Sequence, residues 1–177
     1  MALMDIVDDQ DNVIGQKDFK EVYKSFDTKK PLLHRGVHVF VINSKNQLLI
    51  QKRSDKVSNP YKLESSSSGH VDLGHTYEQS AIKELEEELG IVINKKDLIF
   101  VGKIVPDKKT IWSFNVLYMI NYEGPFKINH EVESVKFFKL SEIKEDLKKN
   151  KSSYTVVFNK MFHLFVDWYD KNKKNMP

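Results

Sequence analysis

The chain has 177 residues, of which 40% are hydrophobic and 30% charged, a composition typical of one compact domain with a sizeable core. It contains no cysteine, which excludes disulfide bonds, thiolate metal sites and cysteine nucleophiles. The basic residues are spread along the chain, so the net charge of +3 gives no reason to expect a stable nucleic-acid partner.

Charge and apolar runs also bear on location. No apolar run has the length of a signal peptide or a membrane span, so we expect a cytoplasmic protein without a membrane partner. Lys171, Lys173 and Lys174 form a basic cluster, which we interpret as a solvated end, with a binding arm as the alternative.

The first predicted element is an N-terminal β-hairpin. Ile6-Val7 and Val13-Ile14 flank a polar segment rich in turn-forming residues. A short helix is predicted within Lys17–Phe26. We therefore divide the chain into an N-terminal hairpin extension, residues 1–30, and a main domain, residues 31–177, that includes the C-terminal helix. A homodimer with the hairpin at its interface is an open alternative.

A second hairpin and two loops are predicted next. Val37–Ile42 is rich in β-branched residues, and a polar turn leads from it into Gln47–Lys52. Ser54–Pro60 is polar and is predicted to be a loop. The run Ser65–Ser68 has the composition of a flexible linker, but its position directly before Gly69 favours a loop of the functional site.

Helices and strands follow in the second half. Thr76–Leu89 has the pattern of a helix, and Gly90 suits the left-handed conformation that ends many helices. Ser141 is predicted to cap a short helix that ends at Lys149. Strands are predicted at Leu98–Val105, Ile111–Tyr122 and Val135–Leu140. A final amphipathic helix carries core side chains at helical spacing, namely Phe158, Met161, Phe162, Phe165 and Trp168.

One face of the predicted central helix is acidic. Glu84, Glu87 and Glu88 project within an arc of about 100°, whereas Glu86 points to solvent. Such like charges destabilise a helix by roughly 0.2–0.5 kcal/mol per pair unless a cation lies among them. Mg²⁺ prefers oxygen ligands and binds phosphates together with a few carboxylates. The run alone predicts either a metal site or, more commonly, a solvated charged helix.

The surrounding motif favours the metal site. The stretch Gly69–Ile91 resembles the Nudix box, G-x5-E-x7-R-E-U-x-E-E-x-G-U with U apolar. Flanking segments, 32–36, 48–54 and 69–72, are similar to the Nudix branch related to isopentenyl diphosphate isomerase, so the resemblance extends over Asp5–Leu140. The residues at the expected spacings of the box are Gly69, Lys83, Glu84, Leu85, Glu87, Glu88, Gly90 and Ile91.

The resemblance implies an α/β/α sandwich with a mixed β-sheet. It also implies that Glu84, Glu87 and Glu88 bind Mg²⁺ or Mn²⁺, with the backbone of Gly69 near the metal, and that Glu84 and Glu87 take part in catalysis. Lys83 is a further candidate catalytic residue, because it occupies the position of the arginine that precedes the catalytic glutamate. The implied activity is hydrolysis of a diphosphate linkage in a small molecule, either a nucleoside diphosphate derivative or a related organic diphosphate.

Two positions depart from the family pattern. His75 stands at the first glutamate of the box and cannot act as a carboxylate ligand. Lys83 keeps the charge of the expected arginine but lacks its planar fork, so we expect Glu84 to be held less firmly and activity to be lower.

Candidate residues also lie outside the box. Nudix enzymes often bring one more acidic residue from a loop beyond the sheet, and we assign this catalytic role to Glu131 in preference to Glu133. The alternative is a surface turn of charges. Arg53 and Lys52 are candidate phosphate contacts, although structural roles are more common for such residues.

Histidines and aromatic residues add weaker candidates. His34 and His70 match histidines that bind metal in isopentenyl diphosphate isomerase, but each could equally be structural. His70 is also a candidate substrate contact. Trp112 or Phe114 could stack on a base, with core packing as the alternative.

Two other functions compete with hydrolysis. A catalytically weak or inactive Nudix-fold module would bind its ligand without turnover, and His75 and Lys83 are its best support. The isomerase reaction needs a cysteine where this chain has Ser68, and a hydroxyl cannot replace a thiol of tunable acidity.

Overall fold

The computed structural model describes residues 3–107 and 109–173, so that Lys174 of the predicted basic end lies outside the described residues. Within this part, no helix is long and apolar enough to cross a membrane. The helices are α1 (Phe19–Ser25), α2 (Tyr77–Leu89), α3 (Leu140–Lys149) and α4 (Val156–Asn172). The strands are β1 (Leu3–Val7), β2 (Val13–Asp18), β3 (His34–Ile42), β4 (Gln47–Arg53), β5 (Leu63–Glu64), β6 (Ser67–His70), β7 (Ile99–Ile104), β8 (Ser113–Asn121) and β9 (Val132–Lys139).

The predicted N-terminal hairpin and short helix are confirmed. Strand β1 pairs antiparallel with β2, and the Asp18 side chain caps α1. The hairpin packs on its own chain, because Val7 pairs with Leu33 and the turn residue Asp11 accepts a hydrogen bond from Arg35 Nε at 2.6 Å. The homodimer and the division of the chain after residue 30 stay predictions.

The main sheet is mixed and is built around β3. Strand β3 runs parallel to β8 and antiparallel to β6, while β7 pairs antiparallel with β8. Strand β4 continues the sheet through antiparallel pairing with β5 and β9. The mixed β-sheet predicted from the family resemblance is therefore confirmed.

The predicted hairpin between β3 and β4 differs from the structure in its pairing. Within the described strands, β3 and β4 share only the pair Ile42–Leu48 before they diverge. Ser66 lies between them, where its Oγ accepts a hydrogen bond from Val41 N at 2.8 Å and donates one to Leu49 O at 2.5 Å. Ser66 is fully buried, so the serine run belongs to the packed structure and is not a flexible linker.

Helices cover both faces of the sheet. On one face, α2 buries Ala81, Leu85 and Leu89 against Val37 and Val39. On the other face, α3 and α4 bury a second core that contains Phe40, Ile42, Leu117, Met119, Ile143, Phe158, Met161, Phe162 and Phe165. This arrangement is the predicted α/β/α sandwich, and the aromatic stripe of the C-terminal helix packs in its core.

The ends of α2 follow the sequence prediction. Thr76 caps the helix by accepting a hydrogen bond from Gln79 N at 3.3 Å, and the Gln79 side chain accepts one from Thr76 N at 2.8 Å. Gly90 ends the helix with φ 67°, in the left-handed region that favours glycine.

The predicted cap of α3 is wrong. The helix already begins at Leu140, so Ser141 lies inside its first turn. The capping hydrogen bond comes from Glu142, whose carboxylate accepts from Lys139 N at 2.9 Å. The acceptor is thus the carboxylate of Glu142, three residues after Lys139, and not the expected serine.

Candidate active site

Gly69 lies directly against the carboxylate of Glu84. A Cβ at residue 69 would be 2.0 Å from Glu84 Oε1, closer than two non-bonded atoms can approach. The glycine is therefore required by this close contact, which joins β6 to the acidic face of α2. The predicted place of the Gly69 backbone near a metal ion stays a prediction.

Glu88 is buried and is held by two donors from neighbouring strands. Gln51 Nε2 on β4 donates to its Oε1 at 3.1 Å, and Ser68 N on β6 donates to its Oε2 at 2.9 Å. Residue 88 is 2% exposed. Among the described residues, Gln51 Oε1 and Ser67 Oγ are buried without a hydrogen-bond partner, so polar atoms remain available beside this carboxylate.

Burial makes both carboxylates weak acids. It raises the pKa of Glu84 to about 8, with a further contribution from the charge of Glu88 and an opposing one from Lys83. It also raises the pKa of Glu88 to about 7, against the lowering effect of the hydrogen bonds that Gln51 and Ser68 donate. A cation at this site would act in the opposite direction, because it favours the ionised carboxylates.

Glu87 is half-exposed and pairs with Lys83, one turn earlier on α2. Lys83 Nζ lies 3.4 Å from Glu87 Oε2 and 2.8 Å from Asp72 Oδ2. Within residues 3–107 and 109–173, no three histidine or acidic side chains converge on a common point. The Glu87 carboxylate would therefore have to move away from Lys83 in order to bind the same metal ion as Glu84 and Glu88.

Glu131 lies on the loop that faces the acidic helix. Its charge contributes to the raised pKa of Glu84, and its backbone oxygen accepts a hydrogen bond from Ser54 N at 2.9 Å. The carboxylate is half-exposed. Glu133 is exposed on β9, and its charge is not among the causes of the Glu84 shift.

The two basic candidates have different surroundings. The charge of Arg53 lowers the pKa of Glu88, His70 and Tyr23, so the guanidinium is within electrostatic range of the acidic site. Its Nε donates to the backbone oxygen of Ser58 at 2.7 Å. Lys52 Nζ instead lies over the ring of Tyr61, 5.4 Å from its centroid. Of the two, Arg53 is the one whose charge acts on a carboxylate of the acidic helix.

His34 and His70 lie side by side, with ring centroids 5.3 Å apart. Burial lowers the pKa of His34 to about 3 and that of His70 to about 4, so both rings are neutral at physiological pH. The hydroxyl of Tyr23 shares a hydrogen bond of 3.1 Å with His70 Nε2. Trp112 is partly buried near this group, whereas Phe114 is buried in the core.

Sequence reasoning did not single out Gln51, Asp72 or Tyr23. Gln51 could have been identified from the sequence, because it is an amide at the end of a continuous apolar run in a predicted strand. Asp72 and Tyr23 could not, since their contacts depend on how a loop and the N-terminal extension pack against α2 and β6.

Comparison with known proteins defines the class of this molecule. The NUDIX domain family model matches residues 32–158. An uncharacterized Nudix hydrolase of a Nostoc species is 37% identical over 152 residues, covering 84% of this chain and 87% of the relative. Isopentenyl-diphosphate Delta-isomerase 1 of Mesocricetus auratus is 29% identical over 189 residues, covering 93% of this chain and 83% of the relative. The crystal structure of DR0079 from Deinococcus radiodurans has a TM-score of 0.69 at 26% identity, covering 84% of this chain and 90% of that one.

The α/β/α sandwich and its acidic helix define a hydrolase that acts on phosphoric anhydride bonds. The chain belongs to the Nudix family. Members of this family generally use divalent metal ions such as Mg²⁺ or Mn²⁺.

Proposed function

We propose that the protein cleaves a diphosphate linkage in a nucleoside diphosphate derivative or a related organic diphosphate, with Mg²⁺ or Mn²⁺ held by Glu84, Glu87 and Glu88. The observation that carries the proposal is the pair of carboxylates on one face of α2: Glu88, which is buried, and Glu84, which is partly buried against Gly69. Two carboxylates in a buried site are stabilised in their ionised form by a cation, and their oxygens are the ligands that Mg²⁺ prefers.

The surroundings of the pair fit such a cation. Gln51 Oε1 and Ser67 Oγ are polar, buried and without a partner within the described chain. The backbone of Gly69 lies beside Glu84 because residue 69 has no side chain. The bound metal would neutralise charge on phosphate oxygens and make water a stronger nucleophile.

The remaining side chains have separate tasks in this proposal. Glu87 would hold the cation in place of its contact with Lys83, and Lys83 would keep its contact with Asp72, 2.8 Å away. The carboxylate of Glu131 accepts the proton of the attacking water, since it is half-exposed and its charge contributes to the raised pKa of Glu84. Arg53 binds the phosphate groups with its positive charge.

Product analysis by mass spectrometry tests the proposal. Wild-type protein, Glu87→Gln and Glu86→Gln are incubated with nucleoside diphosphate derivatives and isopentenyl diphosphate, in Mg²⁺ and in EDTA. Glu86 is the matched control, because it is the exposed neighbour of Glu87 on the same helix. We expect Mg²⁺-dependent cleavage that is lost in Glu87→Gln and kept in Glu86→Gln.

Other outcomes support the competing functions. Stabilisation by a ligand without any turnover would overturn hydrolysis in favour of a binding module. Isomerisation of isopentenyl diphosphate without cleavage would overturn it in favour of an isomerase. Equal cleavage by Glu87→Gln and wild-type protein would overturn the assignment of Glu87 as a metal ligand.

A further inference from the structure

A network of buried polar side chains lies under α4, on the face of the sheet away from the acidic helix. Its members are His38 on β3, Glu64 on β5, Asn115 on β8 and Thr155 at the start of α4. Each of them is at most 6% exposed. Because neighbouring residues of a strand face opposite sides, His38 shares the face of Phe40, whereas Val37 and Val39 face α2. Buried polar groups cost free energy unless they are hydrogen-bonded, and the proposed hydrolysis uses none of these four.

Both ring nitrogens of His38 have a partner. Asn115 Nδ2 donates to Ser113 O at 2.9 Å, which leaves Asn115 Oδ1 facing His38 Nε2 at 3.3 Å. Burial lowers the pKa of His38, so the ring is neutral and Nε2 carries its one hydrogen. Nδ1 is then an acceptor, and Ser65 Oγ donates to it at 3.0 Å.

Both oxygens of the Glu64 carboxylate also have a partner. Oε1 accepts from Ser65 N at 2.9 Å, and Oε2 accepts from Thr155 Oγ1 at 2.5 Å. Thr155 is the N-cap of α4, where its Oγ1 accepts from Phe158 N at 3.2 Å. A single carboxylate thus connects the C-terminal helix to the residue that is bonded to His38.

The network holds the beginning of a segment that ends at the acidic site. We call residues 64–68 the serine segment. Its first two residues are bound by the network, and Ser66 is held between β3 and β4. Its last residue, Ser68, donates its backbone N–H to Glu88 Oε2 at 2.9 Å. The serine segment therefore joins the buried network to a proposed metal ligand.

The second donor to Glu88 lies beside the same segment. Gln51, whose Nε2 donates to Glu88 Oε1 at 3.1 Å, is the partner of Glu64 in the pairing of β4 with β5. Strand β5 consists of Leu63 and Glu64 alone, so its backbone offers few hydrogen bonds to hold it in place. The side-chain contacts of Glu64 supply the rest.

We propose that His38 and Glu64 are positioning residues of the metal site, which hold the serine segment so that Ser68 and Gln51 keep Glu88 directed at the cation. This inference rests on the proposed function. Neither residue contacts the metal or the substrate in it. Hydrogen-bond partners of metal ligands typically contribute about 10- to 100-fold to metal affinity, and we expect the lower end, because the effect passes through the serine segment.

Amide hydrogen exchange, followed by NMR in EDTA, tests the positioning without any metal. Glu64→Gln keeps an acceptor oxygen at this position, whereas Glu64→Met has a similar length and keeps none. We expect the Ser68 amide to exchange about tenfold faster in Glu64→Met than in the wild type, and at nearly the wild-type rate in Glu64→Gln. The Leu89 amide of α2 is the internal reference and should exchange alike in all three proteins.

Mn²⁺ binding, measured by electron paramagnetic resonance, tests the consequence for the metal site. The Kd of Mn²⁺ should rise about tenfold in Glu64→Met and stay near the wild-type value in Glu64→Gln. A second pair of variants divides the contacts of His38. His38→Asn places an amide near the position of Nδ1 and can keep the bond to Ser65, whereas His38→Gln reaches the position of Nε2 and keeps the bond to Asn115. We expect His38→Gln to bind Mn²⁺ more weakly than His38→Asn.

Several results would overturn the inference. One is equal exchange of the Ser68 amide in Glu64→Gln and Glu64→Met, and another is equal Mn²⁺ affinity within each pair of variants. Faster exchange of the Leu89 amide together with that of Ser68 would show that the network supports the whole fold and has no particular role at the metal site. Failure of the wild type to bind Mn²⁺ would instead overturn the proposed function and, with it, the metal-site role of His38 and Glu64.

Discussion

Replacing Gly69 by alanine perturbs the contact on which the acidic site is built. The new Cβ would lie 2.0 Å from Oε1 and 2.2 Å from the carboxyl carbon of Glu84, whereas ordinary van der Waals contact begins at 3.4 Å. The carboxylate must therefore move by about 1.4 Å. The atoms that clash belong to the end of a flexible side chain, so the backbone can stay where it is.

We expect this variant to lose activity and to keep its stability. A misplacement of about 1 Å at a reacting centre costs about 100-fold in rate, so kcat with Mg²⁺ should fall by about that factor. The free energy of unfolding should change by less than about 1 kcal/mol, the usual range for glycine to alanine at a compatible backbone. Gly15→Ala is the matched control, because a Cβ at residue 15 meets nothing within 4 Å.

Initial hydrolysis rates and urea unfolding of both variants are the measurements. Wild-type kcat in Gly69→Ala would refute the reasoning, because it would show that the position of Glu84 is unimportant. A loss of several kcal/mol of stability would refute it differently, by assigning the glycine to folding.

The other predictions concern carboxylates and their partner. Burial raises the pKa of Glu84 to about 8 and of Glu88 to about 7. In EDTA, the contribution of these two groups to the free energy of unfolding should therefore be fully present below about pH 4.5 and be lost as the pH rises to about 8. In Glu88→Gln, the free energy of unfolding measured in urea should fall by about 3 kcal/mol less over this pH range than in the wild type, and an unchanged pH profile would contradict the burial argument. Lys83→Arg should preserve or raise kcat, because a planar fork can hold two carboxylates, and a loss beyond about tenfold would show that lysine has a role of its own. Glu131→Gln should lower kcat by about 100-fold if it is the general base, whereas Glu133→Gln should leave it unchanged, and the reverse order would exchange the two assignments.

The acidic site was predictable because it is local in sequence. Glu84, Glu87 and Glu88 share a helix face by spacing alone. The helix begins after Thr76, whose side chain can cap it, and ends at Gly90, whose backbone favours the left-handed conformation. Short-range geometry of this kind does not depend on the rest of the fold.

The contacts that complete the site join distant segments. Gln51 is 37 residues from Glu88, and Tyr23 is 47 residues from His70. Such contacts depend on which strands become neighbours and on where the N-terminal extension packs. Residue type and spacing predict neither the strand neighbours nor the packing of the N-terminal extension.

Strand pairing shows the same limit within the fold. The turn after β3 was predictable from its polar residues, but the early divergence of β3 and β4 was not, because it depends on Ser66 inserting from another part of the chain. The family resemblance gave the layers of the sandwich, and the register came only from the structure.

Binding of Mn²⁺, measured by electron paramagnetic resonance, tests the central assignment most directly. Mn²⁺ takes the oxygen ligands of Mg²⁺ and gives a signal when it is free in solution. We predict that Glu84→Gln and Glu88→Gln each weaken Mn²⁺ binding by about tenfold or more, and that Glu86→Gln binds like the wild type. If Glu84→Gln and Glu88→Gln both bind Mn²⁺ with the affinity of the wild type, the assignment of the acidic helix as the metal site is contradicted.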